Sequence, residues 1–433
     1  MLNLLRICLD FPDVLTLHNL RPWLKKLKYT TCRFCNRQIS AIAQLYPSPH
    51  LCYNRIGHTT SLPDDSSLNT AAQIPTPDYQ QQDTVFARAF ELLNQAIAQR
   101  AFPAASAAVT HRGKLVCLKA FGHFLYEPET PETTTGSIFD LASLTKVVAT
   151  TTVAMILYER GLLDLDTPVA SIISQFKTDD PRRQEVTIRM LLTHSSGLPA
   201  YEKLFLKARD RDELLSAALC TPLKHDPGST VEYSDIGFII LGVVLERLAQ
   251  DALDHFCRQE IFGPLGMAHT TFDPPLHWWS LIPPTADDQS FRQRIIQGEV
   301  QDENASALEG VAGHAGLFAT AQDCATFAHT MLQGGAPLVR PDTLALFTRR
   351  QSSSAGTSRA LGWDTPSAPS QSGKYFSPQS FGHLGYTGTS LWIDPQRQLS
   401  VTLLTNRTWP DCKNEAIKQV RPAFHDAVVE ALE

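Results

Sequence analysis

The sequence predicts an α+β fold in which a central antiparallel sheet, built from both ends of the chain, is flanked by helices and carries an inserted, mainly helical subdomain over about residues 162–300. Two hairpins predict the sheet. Residues 104–110 and 115–121 are apolar runs that flank His111-Arg112-Gly113-Lys114, and residues 390–393 and 399–404 flank Asp394-Pro395-Gln396-Arg397. The third observation is the stretch between them, where strand signals give way to a mainly helical pattern.

Taken in order from the N-terminus, residues 1–60 form a basic extension. Eight Lys or Arg stand there against Asp10 and Asp13, a balance of +6 that leaves −12 for the remainder of a chain whose formal charge is −6. Arg6 interrupts the apolar start and no small-residue cleavage site follows, so no secretory signal is predicted and a cytoplasmic location is expected. Cys32, Cys35, His50, Cys52 and His58 offer soft ligands for a small zinc module, but with one Cys-x-x-Cys pair the reading favoured is an extension without metal. Its basic charge lacks the accompanying aromatics of a nucleic-acid binder, and no nucleic-acid partner is expected. Residues 61–83, rich in Pro, Ser, Asp, Thr and Gln, read as a linker. A domain over 84–432 follows. Asp83 is placed to cap its first helix, in which Phe86, Phe90, Leu93 and Ile97 make one apolar stripe, and an amphipathic helix ending at Leu432 closes the chain.

With 433 residues, 43% hydrophobic and 19% charged, the chain is neither collagen-like nor wholly disordered. Its longest apolar runs, residues 147–158 and 238–245, are shorter than the roughly 18 needed to cross a bilayer and read as buried helices. Nine cysteines scattered from Cys8 to Cys412 make no disulfide framework, which points to a reducing compartment. Nothing in the sequence speaks to oligomeric state.

The strongest local signal for chemistry is Ser143-Leu144-Thr145-Lys146, ahead of the helical run at 147–158. Ser and Lys three apart in a first helical turn share a face, so the ammonium stands beside the hydroxyl. A serine hydroxyl becomes a nucleophile when a neighbouring base or positive field draws off its proton. The pair alone is a weak signal, but further segments follow in order: Leu192-Thr193-His194-Ser195-Ser196-Gly197-Leu198-Pro199, Tyr233-Ser234-Asp235, Gly313-His314-Ala315-Gly316-Leu317-Phe318, and His383-Leu384-Gly385-Tyr386-Thr387-Gly388-Thr389. Together they resemble the serine hydrolases of the class C β-lactamase, penicillin-binding-protein and esterase family, from about residue 84 to 432.

The resemblance implies a β-lactamase/transpeptidase-like fold. It makes Ser143 the acyl-accepting nucleophile, Lys146 the source of a positive field, and Tyr233 the tyrosine of a Tyr-x-Asn motif that takes the serine proton and returns it to the leaving group. It places the oxyanion hole at the backbone N–H groups of Ser143 and Tyr386, with Asp235, His383 and Gly385 toward the substrate. A competing alignment takes Ser234-Asp235-Ile236 as a broken Ser-Asp-Asn motif; the flanking Pro-Gly and Gly-Phe favour Tyr233. Two departures stand out. Asp235 replaces Asn and, when ionised, offers no donor to a substrate carbonyl. His383 replaces the Lys of a Lys-Thr-Gly strand with a group of reference pKa about 6.5, so anionic substrates are expected to be held better below that pH than above it.

His194 is expected to be structural, and Asp302-Glu303-Asn304 to form a capped surface loop rather than line the cleft. The reaction needs no cofactor and no metal. The reading is a serine hydrolase acting on a small-molecule or peptide ester or amide, a carboxylic ester first. A D-amino-acid peptidase of the DD-carboxypeptidase type, a weak β-lactamase and an acyl-binding sensor without turnover are the alternatives.

Overall fold

The computed structural model describes residues 74–351 and 357–433. The chain divides into two units, Met1–Pro63 and Asp64–Glu433, and all described residues belong to the second. The basic extension, its cysteine and histidine cluster and most of the expected linker lie outside the described residues.

The sheet begins inside the stretch expected to be linker. Thr76–Pro77 (β1) pairs in parallel with residues 114–115, through Thr76 N–H to Gly113 O at 3.2 Å and Asp78 N–H to Leu115 O at 2.8 Å. Backbone pairing orders a segment with few apolar side chains, and an edge strand tolerates Pro77. Asp83 is not a helix cap. It lies in the first turn of the short helix Gln82–Val85, and its carboxylate accepts from Lys119. The helix α1 (Ala87–Ala98) carries the expected stripe: Phe86, Phe90 and Leu93 are buried.

β2 (Ala104–His111) and β3 (Lys114–Gly122) form the first hairpin. Arg112 and Gly113 both have positive φ, 49° and 84°, the turn whose twist suits a two-residue hairpin. Next come β4 (Phe139–Asp140), α2 (Thr152–Glu159), α3 (Asp235–Ala249), β5 (Thr271–Phe272), β6 (Ala286–Asp288), β7 (Arg294–Ile296), β8 (Leu317–Ala319) and α4 (Ala321–Leu332). The chain ends with β9 (Phe381–Leu384), β10 (Ser390–Asp394), β11 (Leu399–Thr405) and α5 (Ile417–Leu432).

The main sheet runs β1-β3-β2-β11-β10-β9, antiparallel throughout except at β1, and the β2–β11 pairing joins the two ends of the chain at its centre. Side chains alternate between its faces. Ala105, Ala107 and Val109 of β2, Val401 and Leu403 of β11 and Trp392 of β10 pack with Phe90, Leu93, Phe424 and Val428 of α1 and α5. Ala104, Ala108, Leu391 and Ile393 face the larger core, which contains Phe327 of α4 and most of the insertion. The insertion is helical as far as Gly263–Leu265, but β5, β6 and β7 fall in its last part. These strands are two or three residues long, too short to show a period of two in sequence. β5 joins β8 and β4 in a three-stranded sheet that leads directly into Ser143.

No described helix is long and apolar enough to cross a membrane. Cys117, Cys220, Cys257, Cys324 and Cys412 are free thiols.

Candidate active site

The chain leaves β4 through Ala142, whose φ of 46° is a left-handed conformation that a residue with a Cβ adopts only under constraint. Asp140 supplies the constraint. Its buried carboxylate accepts from Ala142 N–H at 2.8 Å and from Gln301 N–H at 2.6 Å. Burial pushes this carboxyl up to about 6 against the pull of those two N–H groups. A tight turn, Ala142–Leu144, then runs into a π-helical stretch, Lys146–Thr151, and on into α2.

Ser143 is partly exposed and Lys146 fully buried beneath it. The Lys146 ammonium donates to Ser143 Oγ at 3.0 Å, to Asp235 Oδ1 at 2.7 Å and to the His314 carbonyl at 3.0 Å. Burial opposes its charge, but Asp235 and Tyr233 more than compensate and hold Lys146 above the ordinary lysine range. Tyr233 shares the pocket, with the ammonium 4.9 Å from its ring centroid. Burial raises its phenol, while the Lys146 charge and hydrogen bonding with Lys146 and Ser143 pull it back. The resting site thus holds an ammonium, a neutral phenol and a carboxylate around the serine.

Tyr233 is oriented from both sides. The next residue, Ser234, caps α3: its hydroxyl accepts from Gly237 N–H at 3.0 Å and donates to Pro199 O at 2.7 Å. That commitment fits Ser234 as structure and leaves Tyr233 facing the serine. His194 packs against Tyr233 at 4.6 Å between centroids, with the rings tilted by 38°, and its Nδ1 accepts from Ser234 N–H at 3.0 Å, in keeping with a structural histidine.

The β9–β10 loop closes the other side. Thr387 Oγ1 donates to Asp140 O at 2.8 Å and Thr389 Oγ1 to Leu141 O at 3.0 Å, which ties the loop carrying Tyr386 to the residues just before Ser143. Gly385 is required by this closeness: a Cβ there would lie 1.9 Å from Thr389 Oγ1 and 2.5 Å from Leu141 O. His383 is buried, with its ring 5.9 Å from that of Tyr233 and its Nδ1–H donating to Leu384 O at 2.8 Å. Burial, then the charges of Arg359 and Lys146, hold it well below the usual histidine range. Burial first, and then the charges of Arg359, Lys146 and Arg421, oppose the protonation expected of His383 below pH 6.5.

A sequence model of the family described as Beta-lactamase matches residues 88–422. The chain belongs to that family. Among its relatives are the "Putative D-alanyl-D-alanine carboxypeptidase" of Escherichia coli strain K12, 34% identical over 305 residues that make up 63% of this chain and 70% of that protein, and the "N-acetylmuramyl-L-alanine amidase" of Bacillus subtilis strain 168, 31% identical over 346 residues, 71% and 77% respectively. Among solved structures, "EstCE1, a hydrolase with promiscuous acyltransferase activity" superposes with a TM-score of 0.66 at 23% identity, covering 80% of this chain and 99% of that one. A penicillin-binding protein homologue from Caulobacter crescentus gives 0.65 at 19%, covering 80% and 97%. These two likenesses establish the β-lactamase/transpeptidase-like fold.

For this β-lactamase family member, sequence reasoning missed three residues around the serine. Arg359 stands with its guanidinium carbon 5.1 Å from the Tyr233 ring centroid, and a lone Arg in a Ser-rich run gives no motif by which to find it. Arg421, buried on α5, donates to Gly385 O at 2.6 Å and Thr389 O at 3.0 Å and so braces the β9–β10 loop. Asp140 is the third. The Asp302 reading needs amendment as well. Its carboxylate does cap a helix, accepting from Ala305 N–H at 2.7 Å, but it also bonds His314 Nε2 at 2.8 Å, directly behind the carbonyl that receives Lys146. Asn304 is fully buried, and Glu303 reaches Tyr201 Oη at 3.4 Å.

Proposed function

We propose that this protein is a serine hydrolase that forms an acyl-enzyme on Ser143 and acts on peptides ending in a free carboxylate, in the manner of a D-alanyl-D-alanine carboxypeptidase. Arg359 carries the substrate assignment. The His-Leu-Gly strand lacks the lysine that would hold a carboxylate, and burial disfavours a charge on His383; Arg359 supplies a permanent cation over Tyr233. The relative named as a D-alanyl-D-alanine carboxypeptidase supports this class, and the one named as an amidase supports cleavage of an amide bond.

In this reading the backbone N–H groups of Ser143 and Tyr386 receive the oxyanion, Lys146 keeps the field positive, and the neutral phenol of Tyr233 donates to the departing nitrogen or oxygen. Carboxylic-ester hydrolysis is the second reading. It is favoured by the partly open serine and by Asp235, which as an anion offers no donor for gripping a substrate amide.

The test is a panel of D-Ala-D-Ala peptides, neutral short-chain esters and a chromogenic β-lactam on the wild type and Ser143→Ala. Release of D-Ala that vanishes in Ser143→Ala is the expected result. Turnover of esters alone moves the assignment to an esterase, and one equivalent of product without turnover identifies a sensor.

A further inference from the structure

The Lys146 ammonium donates to Ser143 Oγ, Asp235 Oδ1 and His314 O, and Tyr233 also lies within its hydrogen-bonding reach. Lys146 is therefore a donor toward the serine and accepts the serine proton only if it releases one of its own. These partners differ in their capacity to receive it. Ser143 is the group to be deprotonated, and a backbone carbonyl is no base in water. Asp235 alone is a carboxylate, and at 2.7 Å it makes the shortest of the three bonds. Tyr233 gives no alternative sink, because its phenol keeps its own proton in the buried site. The Asn that the family's Tyr-x-Asn motif carries at this position has no site for a proton; the Asp of this chain does.

We propose that Asp235 is the proton acceptor for acylation, reached through Lys146. As Ser143 Oγ forms its bond to the substrate carbonyl carbon, its proton passes to Lys146 Nζ and a different proton passes from Nζ to Asp235 Oδ1. When the bond to the leaving group breaks, that group takes the Tyr233 phenol proton. The phenolate then takes a proton from Nζ, and Asp235 returns one to Nζ. Ser143 ends acylated, the leaving group protonated, and Lys146, Asp235 and Tyr233 as they began.

The surroundings suit this exchange. Asp235 is the first residue of α3, where the helix N-terminus favours negative charge, and its ion pair with Lys146 is the resting arrangement from which the proton moves as the serine attacks. The titratable groups that face it are Lys146 from the nucleophile segment, Tyr233 from its own, and Tyr201 from the loop before; Asp302 reaches Lys146 through His314.

The inference rests on Ser143 as the nucleophile but not on any particular substrate, so it is tested with a fluorophosphonate probe. The rate of labelling is followed from pH 5 to 10 for the full chain as wild type, Asp235→Asn, Asp235→Glu and Ser143→Ala. Asp235→Asn is expected to label roughly 30-fold or more slowly at pH 7, with its acid limb moved up by at least about one pH unit, because Lys146 must then lose its proton to water first. Asp235→Glu keeps a carboxylate and is expected to retain the wild-type limb at a reduced rate. An Asp235→Asn protein with an unmoved limb, whether fast or slow, overturns the proposal and leaves Asp235 a structural partner. If Asp235→Asn does not fold by circular dichroism, the outcome rests on Asp235→Glu, and loss of its acid limb overturns the proposal. Labelling that persists in Ser143→Ala refutes the serine reading itself, a failure distinct from that of Asp235.

Discussion

Arg359 lies over the ring of Tyr233, its guanidinium carbon 5.1 Å from the centroid, and its charge is felt by both His194 and His383. It thus places a fixed cation where the His-Leu-Gly strand has none. Arg359→Gln is expected to lower kcat/KM for D-Ala-D-Ala peptides by about 10- to 100-fold, the worth of one charge-assisted hydrogen bond of roughly 1.5–3 kcal/mol. Neutral esters serve as the control and should change by less than about threefold. Equal losses on both substrates would make Arg359 a brace for Tyr233 rather than a carboxylate anchor.

Gly385 and Leu141 meet so closely that the β9–β10 loop has no room for a methyl group at position 385. With a Cβ 1.9 Å from Thr389 Oγ1 and 2.5 Å from Leu141 O, Gly385→Ala must push the loop away from Ser143. The expected result is a fall in fluorophosphonate labelling of about 100-fold, the scale of one lost oxyanion donor, and a lower thermal midpoint from an overpacking cost of about 1–3 kcal/mol. Arg421 anchors the same loop from behind through Gly385 O and Thr389 O. Arg421→Met should therefore reproduce the loss of labelling with Gly385 intact.

Asp140 makes stability depend on acidity in a direction opposite to that of a salt-bridged carboxylate. Burial raises it from 3.8 to about 6 in the folded protein. The proton is bound more tightly when folded, so its contribution is fully present below pH 4 and is lost as the pH rises toward 6. At pH 7 the cost is about 3 kcal/mol, from roughly two pKa units at 1.36 kcal/mol each. Asp140→Asn removes the titration, and the wild-type-minus-mutant difference in midpoint should change between pH 4 and pH 7. A difference that is flat with pH would mean that Asp140 does not titrate in this range.

Ser143, Lys146 and Tyr233 were legible in the sequence because short motifs fix them: an i, i+3 pair on one turn, and a tyrosine directly before a capped helix. The β2–β3 turn was legible for the same local reason, since Arg112 and Gly113 carry the positive φ a hairpin needs. Arg359 and Arg421 were not, because each acts on rings or backbone far away in sequence; Asp140 holds Ala142 N–H two residues on, but its second partner, Gln301 N–H, is equally remote, and nothing beside these residues marks the role. The sequence placed His383 near Ser143 and Tyr233, and its ring does lie beside that of Tyr233, but its charge was not legible. A sequence gives the reference pKa of an imidazole; the burial and the three neighbouring cations that lower it, Arg359, Lys146 and Arg421, come together only after folding.

That suppression decides what a lysine would do at position 383. Sequence reasoning expects His383→Lys to strengthen binding of anionic substrates by supplying a permanent cation. In the folded protein the ammonium would replace a buried ring already under the charges of Arg359 and Lys146, with no carboxylate among the groups that set its protonation. Its folded pKa must fall below the ordinary value of about 10.4, so stability is lost as pH drops through that value and the penalty is complete once the buried amine is charged. His383→Lys should therefore be destabilised at pH 7 by about 3 kcal/mol or more and recover part of its thermal midpoint above pH 10. The wild type should show no step near pH 6.5 that separates anionic from neutral substrates. A His383→Lys protein as stable as the wild type at pH 7, with improved kcat/KM for carboxylate-bearing peptides, would show that the position opens to solvent and substrate and that the neutral, buried His383 described here is not the working state.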